Sequence, residues 1–382
     1  MKKQMQEFSR ELWNGNTLVI YGAGKYGKFI GNGLIKLGID NFIFCDKSRT
    51  GTLCKKEIIK PENINDYPNS QFIVSSIGYG YYMVQTLHSF GINDTNIFLA
   101  VGIRDLGDDE LSLEIEEEKR GFLCLKNFDL VVTQKCSLKC EKCSNLMQYY
   151  QNPLNCSDDV TIASLHSLCD AIKHVDVINI LGGEPFVNQP LVTKILEEFR
   201  DEHKIGLFRI ISNGTIVPGE ECLKAMSDTP RLTVRLSNYG EVSRHINEAK
   251  KKFEKYGIDN TIFNLDGEWI DEGDLKDLKH SEDYLQYIYH LCGHCNTLMD
   301  GKYYVCPRQA HGVALGAVPL IEGEYVDMIA NSDGSATKQL IGLIRRKNYI
   351  STCRFCDGPC GKKITKAAVQ TRHPLQYEKY AK

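Results

Sequence analysis

The sequence predicts an α/β protein in three parts: a small doubly wound parallel sheet, a partial parallel barrel and a cysteine-rich C-terminal region. Three observations predict it. Apolar strand-like runs alternate with amphipathic stretches over residues 17–105. A second alternation begins near residue 123 and supplies five strand-like runs in order. After about residue 285 the periodicity fails and cysteines crowd together. The expected boundaries are 1–105, an acidic linker at 106–122, 123–285 and 286–382.

In order along the chain, "TLVIYG" reads as a buried strand. "KYGKFIGNGLIKLG" reads as an amphipathic helix ending in glycine, and "NFIFCD" as the next strand. "QFIVSSIG" and "NIFLA" supply two more strands around the helical "YYMVQTLHSFG", which makes about four strands in this part. "LGDDELSLEIEEEKR" is strongly acidic, with Leu111, Leu113 and Ile115 as its apolar residues, and is expected to be a linker or an exposed helix. The central strands are "FDLVVTQ", "VINILGG", "LFRIISNG", "LTVRLSN" and "NTIFNLD". "TIASLHSLCDAIKHV" and "PLVTKILEEFRDEH" are the helices between the first of them.

The chain has 382 residues, 42% hydrophobic and 25% charged, with a net charge of −3. That balance gives no basis for a nucleic-acid or anionic-membrane partner. No apolar run approaches the length of a membrane helix, and the polar start "MKKQMQEFSRELWNGN" lacks the apolar core of a signal peptide. A cytoplasmic location is expected.

Fifteen cysteines are many for a reducing compartment. There, clustered cysteines bind metal more often than they pair as disulfides. Cys136, Cys140 and Cys143 form one group, Cys292, Cys295 and Cys306 a second, and Cys353, Cys356 and Cys360 a third. Cys45, Cys54, Cys124, Cys156, Cys169 and Cys222 stand alone and read as small buried hydrophobes. The first group lies in "VVTQKCSLKCEKCSN", just after a strand, where barrel loops carry chemistry. Three thiolates on one loop hold three irons of a [4Fe–4S] cluster and leave the fourth open. A structural zinc would want a fourth ligand nearby, and "SNLMQYY" offers none.

These residues resemble the radical S-adenosylmethionine (SAM) superfamily, whose loop C-x3-C-x2-C stands here as Cys136, Cys140 and Cys143. The residue before the third cysteine is often aromatic in that family; here it is Lys142, without the ring that usually packs near the adenine. A second match is "GGEP", formed by Gly182, Gly183, Glu184 and Pro185. The resemblance brings its glycines close to the cofactor and Glu184 near the SAM amino group. A looser match is "SNGT", with Ser212, Asn213 and Thr215, suited to ribose or carboxylate contacts; Ser237 and Asn238 end the following strand. The resemblance covers about 123–285 and implies a partial (β/α)6 barrel. It also implies the chemistry: the open iron chelates SAM, reduction cleaves its C5′–S bond, and the 5′-deoxyadenosyl radical abstracts a hydrogen atom. A flavodoxin or ferredoxin would supply the electron.

"CGHCNTLMDGKYYVC" and "CRFCDGPC" resemble the auxiliary-cluster extension of these enzymes. The full SPASM form carries seven cysteines for two clusters. Six stand here, closer to the shortened twitch form with one auxiliary [4Fe–4S] cluster. Cys306, Cys353 and Cys356 are the first candidates; Cys292 and Cys295 compete for the remainder, and Cys360 is either a ligand or a free thiol. Structural zinc is the alternative. His290, His294 and His311 flank this region and are expected to support or face solvent rather than ligate. Trp269, Asp271 and Asp274 lie where a loop either closes over substrate or stays solvated.

"YGAGKYGK" places Gly22, Gly24 and Gly27 between a strand and a helix, with Asp46 at the end of the next strand. That is the context of a dinucleotide fingerprint, with the glycines at a diphosphate and the acid at a ribose. The segment resembles the small Rossmann-like domains of sugar-nucleotide and capsule-biosynthesis enzymes. Nucleotide binding and a scaffold or dimerisation role both remain open.

Together the resemblances imply a radical SAM oxidoreductase acting on a carbohydrate or nucleotide-activated sugar, as a dehydrogenase or an epimerase. An epimerase needs a free thiol as hydrogen donor, for which Cys295 and Cys360 are the candidates. The alternative is modification of a ribosomal peptide or protein. A binding protein with degenerate clusters would not need the intact triad and "GGEP".

Overall fold

The computed structural model describes residues 2–4, 15–75, 80–105, 111–117, 123–330, 336–344, 346, 348–358 and 364–380. Two compact units emerge. One comprises Met1–Lys126, Ile172–Asp176 and His203–Gly206; the other comprises Asn127–Ala171, Val177–Glu202 and Leu207–Lys382.

The first unit is built on a sheet whose strands run, edge to edge, Lys2–Gln4, Leu111–Glu117, Ile97–Asp105, Gln71–Val74, Leu18–Tyr21, Phe42–Cys45, Lys56–Ile59 and Gly51–Leu53. The central pairs are parallel. Leu18–Tyr21 is buried on both faces, so its residues divide by parity. Leu18 and Ile20 join Ile30, Leu34, Phe42 and Phe44 in one cluster, and Val19 and Tyr21 join Phe72, Val74, Val84 and Leu87 in another. Helix Lys25–Lys36 buries Gly27, Ile30, Gly31 and Leu34, the i, i+3, i+4, i+7 stripe of an amphipathic helix. It stops at Gly38, whose φ is +74°.

Two expectations need correcting. The unit has eight strands among the described residues, not about four. A hairpin, Gly51–Leu53 with Lys56–Ile59, extends one edge through an antiparallel pair. On the other side, the stretch expected as a linker or exposed helix contains strand Leu111–Glu117, antiparallel to Ile97–Asp105. Its acidic composition obscured the cause: Leu111, Leu113 and Ile115 recur at every second position, the period of a strand.

The second sheet runs Asp259–Asn264, Leu232–Asn238, Phe208–Ser212, His174–Leu181, Cys124–Val131, Thr297–Met299, Lys302–Tyr304 and Tyr325–Asp327. The first four strands pair in parallel, in reverse chain order. Helices Asp158–Ala171, Gln189–Phe199, Glu220–Ser227 and Ile246–Lys255 alternate with the strands. Parallel pairing puts the strands' C-terminal ends along one edge, and the loops that leave them become neighbours. The cysteine-rich region is not wholly irregular: Thr297–Met299 pairs in parallel with Cys124–Val131, and the following two strands continue antiparallel. Among the described residues, no helix is long and apolar enough to cross a membrane.

Candidate functional site

The cysteine loop leaves strand Cys124–Val131 and is pinned to the loop that leaves His174–Leu181. Val132 N–H donates to Leu181 O, Gly183 N–H to Thr133 O, and Glu184 N–H to Lys135 O, all at 2.9 Å. The two glycines make this approach possible. A Cβ on Gly182 would stand 2.4 Å from Thr133 O, and one on Gly183 would stand 2.3 Å from Lys135 O. The neighbouring backbone therefore demands glycine at both positions of "GGEP".

Cys136, Cys140 and Cys143 sit close together: Cys143 and Cys140 raise the pKa of Cys136, and Cys143 raises that of Cys140, although burial is the larger cause in each case. Burial pushes the Cys140 thiol up to about 11 and the Cys136 and Cys143 thiols upward as well. Cys136 and Cys143 pack against an apolar cluster of Leu146, Met147, Tyr149, Tyr150 and Leu275. Donors converge on the sulfurs: Leu138 N–H (3.4 Å) and Asn213 Nδ2 (3.6 Å) on Cys136, and Gln370 Nε2 (3.1 Å) on Cys140.

Glu184 is fully buried. Its Oε1 accepts from Phe186 N–H at 3.3 Å and its Oε2 from Asn213 N–H at 2.7 Å. Burial pushes its carboxyl up to about 7 against these donors and the Ser212 hydroxyl. Glu184 thus ties the loop after Leu181 to the loop after Ser212, and each oxygen keeps further acceptor capacity. Asn213 bridges onward: its Nδ2 donates to Ser137 Oγ at 3.2 Å, and its Oδ1 accepts from Thr215 N–H at 3.0 Å. Ser243 Oγ donates to Asn213 O and Ser237 O, at 2.7 and 3.3 Å. Asn238 Nδ2 donates to Asn264 Oδ1, and Asn238 Oδ1 accepts from Gly240 N–H, so it shapes its own turn. Cys136, Glu184, Asn213 and Ser237 are therefore joined across four successive strand ends.

Tyr239 was not singled out from sequence, although its place directly after Ser237 and Asn238 was a signal. Burial pushes its phenol up to about 12, and all three loop cysteines add to the effect. Glu272 and Arg308 had no comparable signal. Lys142 Nζ reaches Asp271 at 3.1 Å and Asp274 at 2.8 Å, which ties the 271–274 loop to the cysteine loop. Neither loop reading from sequence foresaw this tether. Arg308, buried, donates from Nη2 to Gly273 O and from Nε to Phe355 O, both at 2.7 Å. The Glu272 carboxylate influences both Cys143 and Cys356.

Cys292, Cys306, Cys353 and Cys356 line one hollow, together with Tyr289 and Arg308. Burial raises the Cys306, Cys353 and Cys356 thiols, to about 12 for Cys353 and about 11 for Cys356. Backbone N–H groups of Gln309 and Gly358 donate to Cys306 and Cys356 sulfurs at 3.4 and 3.2 Å. Cys295 is exposed and does not line the hollow, so the structure places Cys292 with the three first candidates. Cys360 lies outside the described residues. His294 also lines the hollow, with Nε2 2.7 Å from Tyr289 O, while His290 meets Gln286 and His311 meets Tyr150.

Both cysteine groups fit iron–sulfur clusters by donor chemistry and setting: clustered thiols, apolar surroundings and N–H donors aimed at sulfur. A cluster binds each thiolate at a separate iron, so its cysteines need not converge on a point. Among the described residues, no three His, Cys, Asp or Glu side chains are placed to hold a single ion.

In the first unit, Gly22 has φ +109°, and a Cβ on Gly27 would overlap Gly22 O at 1.8 Å. Packing demands both glycines. A Cβ on Gly24 meets nothing within 4 Å. Asp46 accepts from Ala23 N–H through Oδ2, at 2.8 Å, and from Ser48 and Arg49 N–H through Oδ1, at 2.8 and 2.9 Å. Burial raises its carboxyl, and these donors more than offset that to hold it below the ordinary range.

Residues 125–224 match a family model described as a 4Fe-4S single cluster domain, a span that contains the cysteine triad, "GGEP" and "SNGT". No curated protein matches the chain. Among solved structures, the chain is similar to native anSMEcpe with bound AdoMet, at 15% identity and a TM-score of 0.39, over 61% of this chain and 83% of that one. It is also similar to Streptococcus suis SuiB bound to S-adenosylmethionine, at 18% identity and a TM-score of 0.29, over 49% of this chain and 38% of that one. With SuiB bound to the precursor peptide SuiA, the values are 13% and 0.33, over 87% and 84%.

Proposed function

We propose that this chain is a radical SAM enzyme, with a partial barrel, a catalytic [4Fe–4S] cluster on Cys136, Cys140 and Cys143, and an auxiliary cluster on Cys292, Cys306, Cys353 and Cys356. The observation that carries this reading is the convergence of the triad, Glu184, Asn213 and Ser237 at the ends of successive parallel strands. When bound, the cluster and SAM supply one-electron, hydrogen-abstracting chemistry that no side chain offers. The chain's own residues position and exclude. Leu146, Met147, Tyr149 and Tyr150 keep water from the thiols. Glu184 and Asn213 fix the loops on which SAM would rest.

The favoured substrate is a carbohydrate or nucleotide-activated sugar, and the favoured reaction is dehydrogenation. Net loss of a hydrogen atom, an electron and a proton turns an alcohol into a carbonyl. Four thiols around one hollow support an electron-accepting auxiliary cluster, with Cys295 left outside it. The Rossmann-like reading of the first unit supports a nucleotide handle: packing requires Gly22 and Gly27, whereas Gly24, at the start of helix Lys25–Lys36, leaves room for a diphosphate. Anaerobic turnover of a sugar-nucleotide panel in deuterium oxide, with SAM and a chemical reductant, tests this. A carbonyl product without solvent deuterium is expected. Inverted, deuterated product would make the enzyme an epimerase. Inert sugars beside a modified peptide would overturn the substrate class.

A further inference from the structure

Residues 364–380, in the C-terminal region 286–382, lie beyond its last cysteine and run against the cysteine loop. Ile364–Lys366 pairs antiparallel with Glu268–Ile270. The segment then crosses the loop as a short antiparallel bridge, Cys140 opposite Gln370. Glu141 N–H donates to Val369 O and Thr371 N–H to Lys139 O, both at 2.8 Å. Beyond the crossing, Leu375 N–H donates to Gln148 O at 2.8 Å and Tyr377 Oη to Leu315 O at 2.8 Å. The segment is therefore anchored on both sides of Gln370.

The Gln370 amide has one orientation open to it. Its Oε1 accepts from Lys139 N–H at 2.7 Å, and its Nε2 donates to Ala368 O at 2.7 Å. Turning it over would set oxygen against the Ala368 carbonyl and N–H against the Lys139 N–H. The remaining N–H then points at Cys140 Sγ, 3.1 Å away. Ala368 holds φ +53°, a left-handed conformation that is strained for a non-glycine residue and persists where surroundings over-determine it.

We propose that this segment is a strap fixing the cysteine loop, and that Gln370 is a positioning residue whose N–H to Cys140 raises the reduction potential of the cluster held there. The proposal rests on the cluster reading above. A donor to a ligand sulfur stabilises the more negative, reduced state, so it favours uptake of the electron.

The test uses the full chain, loaded with both clusters, in a redox titration followed by electron paramagnetic resonance. Gln370→Leu removes the amide without adding charge. Gln370→Glu keeps an oxygen for Lys139 N–H and replaces the donor with a negative charge. The signal missing from Cys136→Ala/Cys140→Ala/Cys143→Ala identifies the triad cluster. At a fixed potential, its reduced-to-oxidised ratio should fall about five- to tenfold in Gln370→Leu and further in Gln370→Glu, with the auxiliary signal unmoved. A tenfold change is 59 mV for one electron. Unchanged triad potentials in both variants, or equal shifts in the two clusters, would overturn the role of Gln370. Hydrogen exchange on the unmutated protein tests the strap without any variant. Lys139, Glu141 and Thr371 amides should exchange slowly, and exchange at free-peptide rates would overturn it. An iron content unchanged by the triple alanine variant would instead defeat the cluster reading, and the exchange result would still judge the strap.

Discussion

At the scale of single residues, the glycines separate packing from ligand roles. A methyl group on Gly183 would strike the carbonyl of Lys135, backbone that cannot swing aside. Gly183→Ala should cost about 3 kcal/mol, at the upper end of typical overpacking penalties, and should loosen the cysteine loop. Chemical denaturation measures it; a change under about 1 kcal/mol would show that the contact relaxes freely. Gly24→Ala, which meets nothing, should stay within about 1 kcal/mol of the parent, the range of a helix N-cap exchange. His311 adds a pH dependence. It is fully buried, with Nδ1 3.0 Å from the Tyr150 hydroxyl, and burial lowers its pKa from 6.5 to about 3. Below about pH 6.5 the unfolded chain takes a proton that the native chain refuses until about pH 3, so this residue's contribution is lost as pH falls through that window. His311→Asn cannot take that proton. The stability advantage of the parent over it should therefore shrink as pH falls from 6.5 toward 4.5. An advantage constant with pH would contradict the buried neutral imidazole.

At the scale of elements, what was legible was local. Strands such as "TLVIYG" and "LTVRLSN" carry their pattern within a few residues, and C-x3-C-x2-C is complete on one loop. The outer strands of the first sheet were missed because their signals were short or overlaid by charge, as in Leu111–Glu117. Gln370 lies 230 residues from Cys140 and Asp274 lies 132 from Lys142, distances at which no spacing rule operates. The proposed auxiliary ligands were half legible. The sequence offered six cysteines; only the fold, by turning Cys292 toward Cys306 while leaving Cys295 exposed, narrows the described ones to four. Replacing Cys292, Cys306, Cys353 and Cys356 by serine should reduce a reconstituted protein from about eight irons to about four, one cluster's worth, whereas Cys295→Ser should keep about eight. Four irons in Cys295→Ser would reverse the assignment.

At the scale of the molecule, the second unit places two cysteine sites in one framework. Loop 271–274 is tethered to one by Lys142 and to the other by Arg308, and Glu272 exerts its charge on a cysteine of each. Parallel strands and their loops gather the residues that resemble a SAM site, and an apolar cluster backs the triad. The central claim is that Cys136, Cys140 and Cys143 carry the reductive chemistry. The most direct measurement is 5′-deoxyadenosine formed from SAM under anaerobic reduction, compared between the parent and Cys136→Ala/Cys140→Ala/Cys143→Ala, both still holding the auxiliary iron. The account predicts product from the parent and none from the variant. Equal product from both would contradict it.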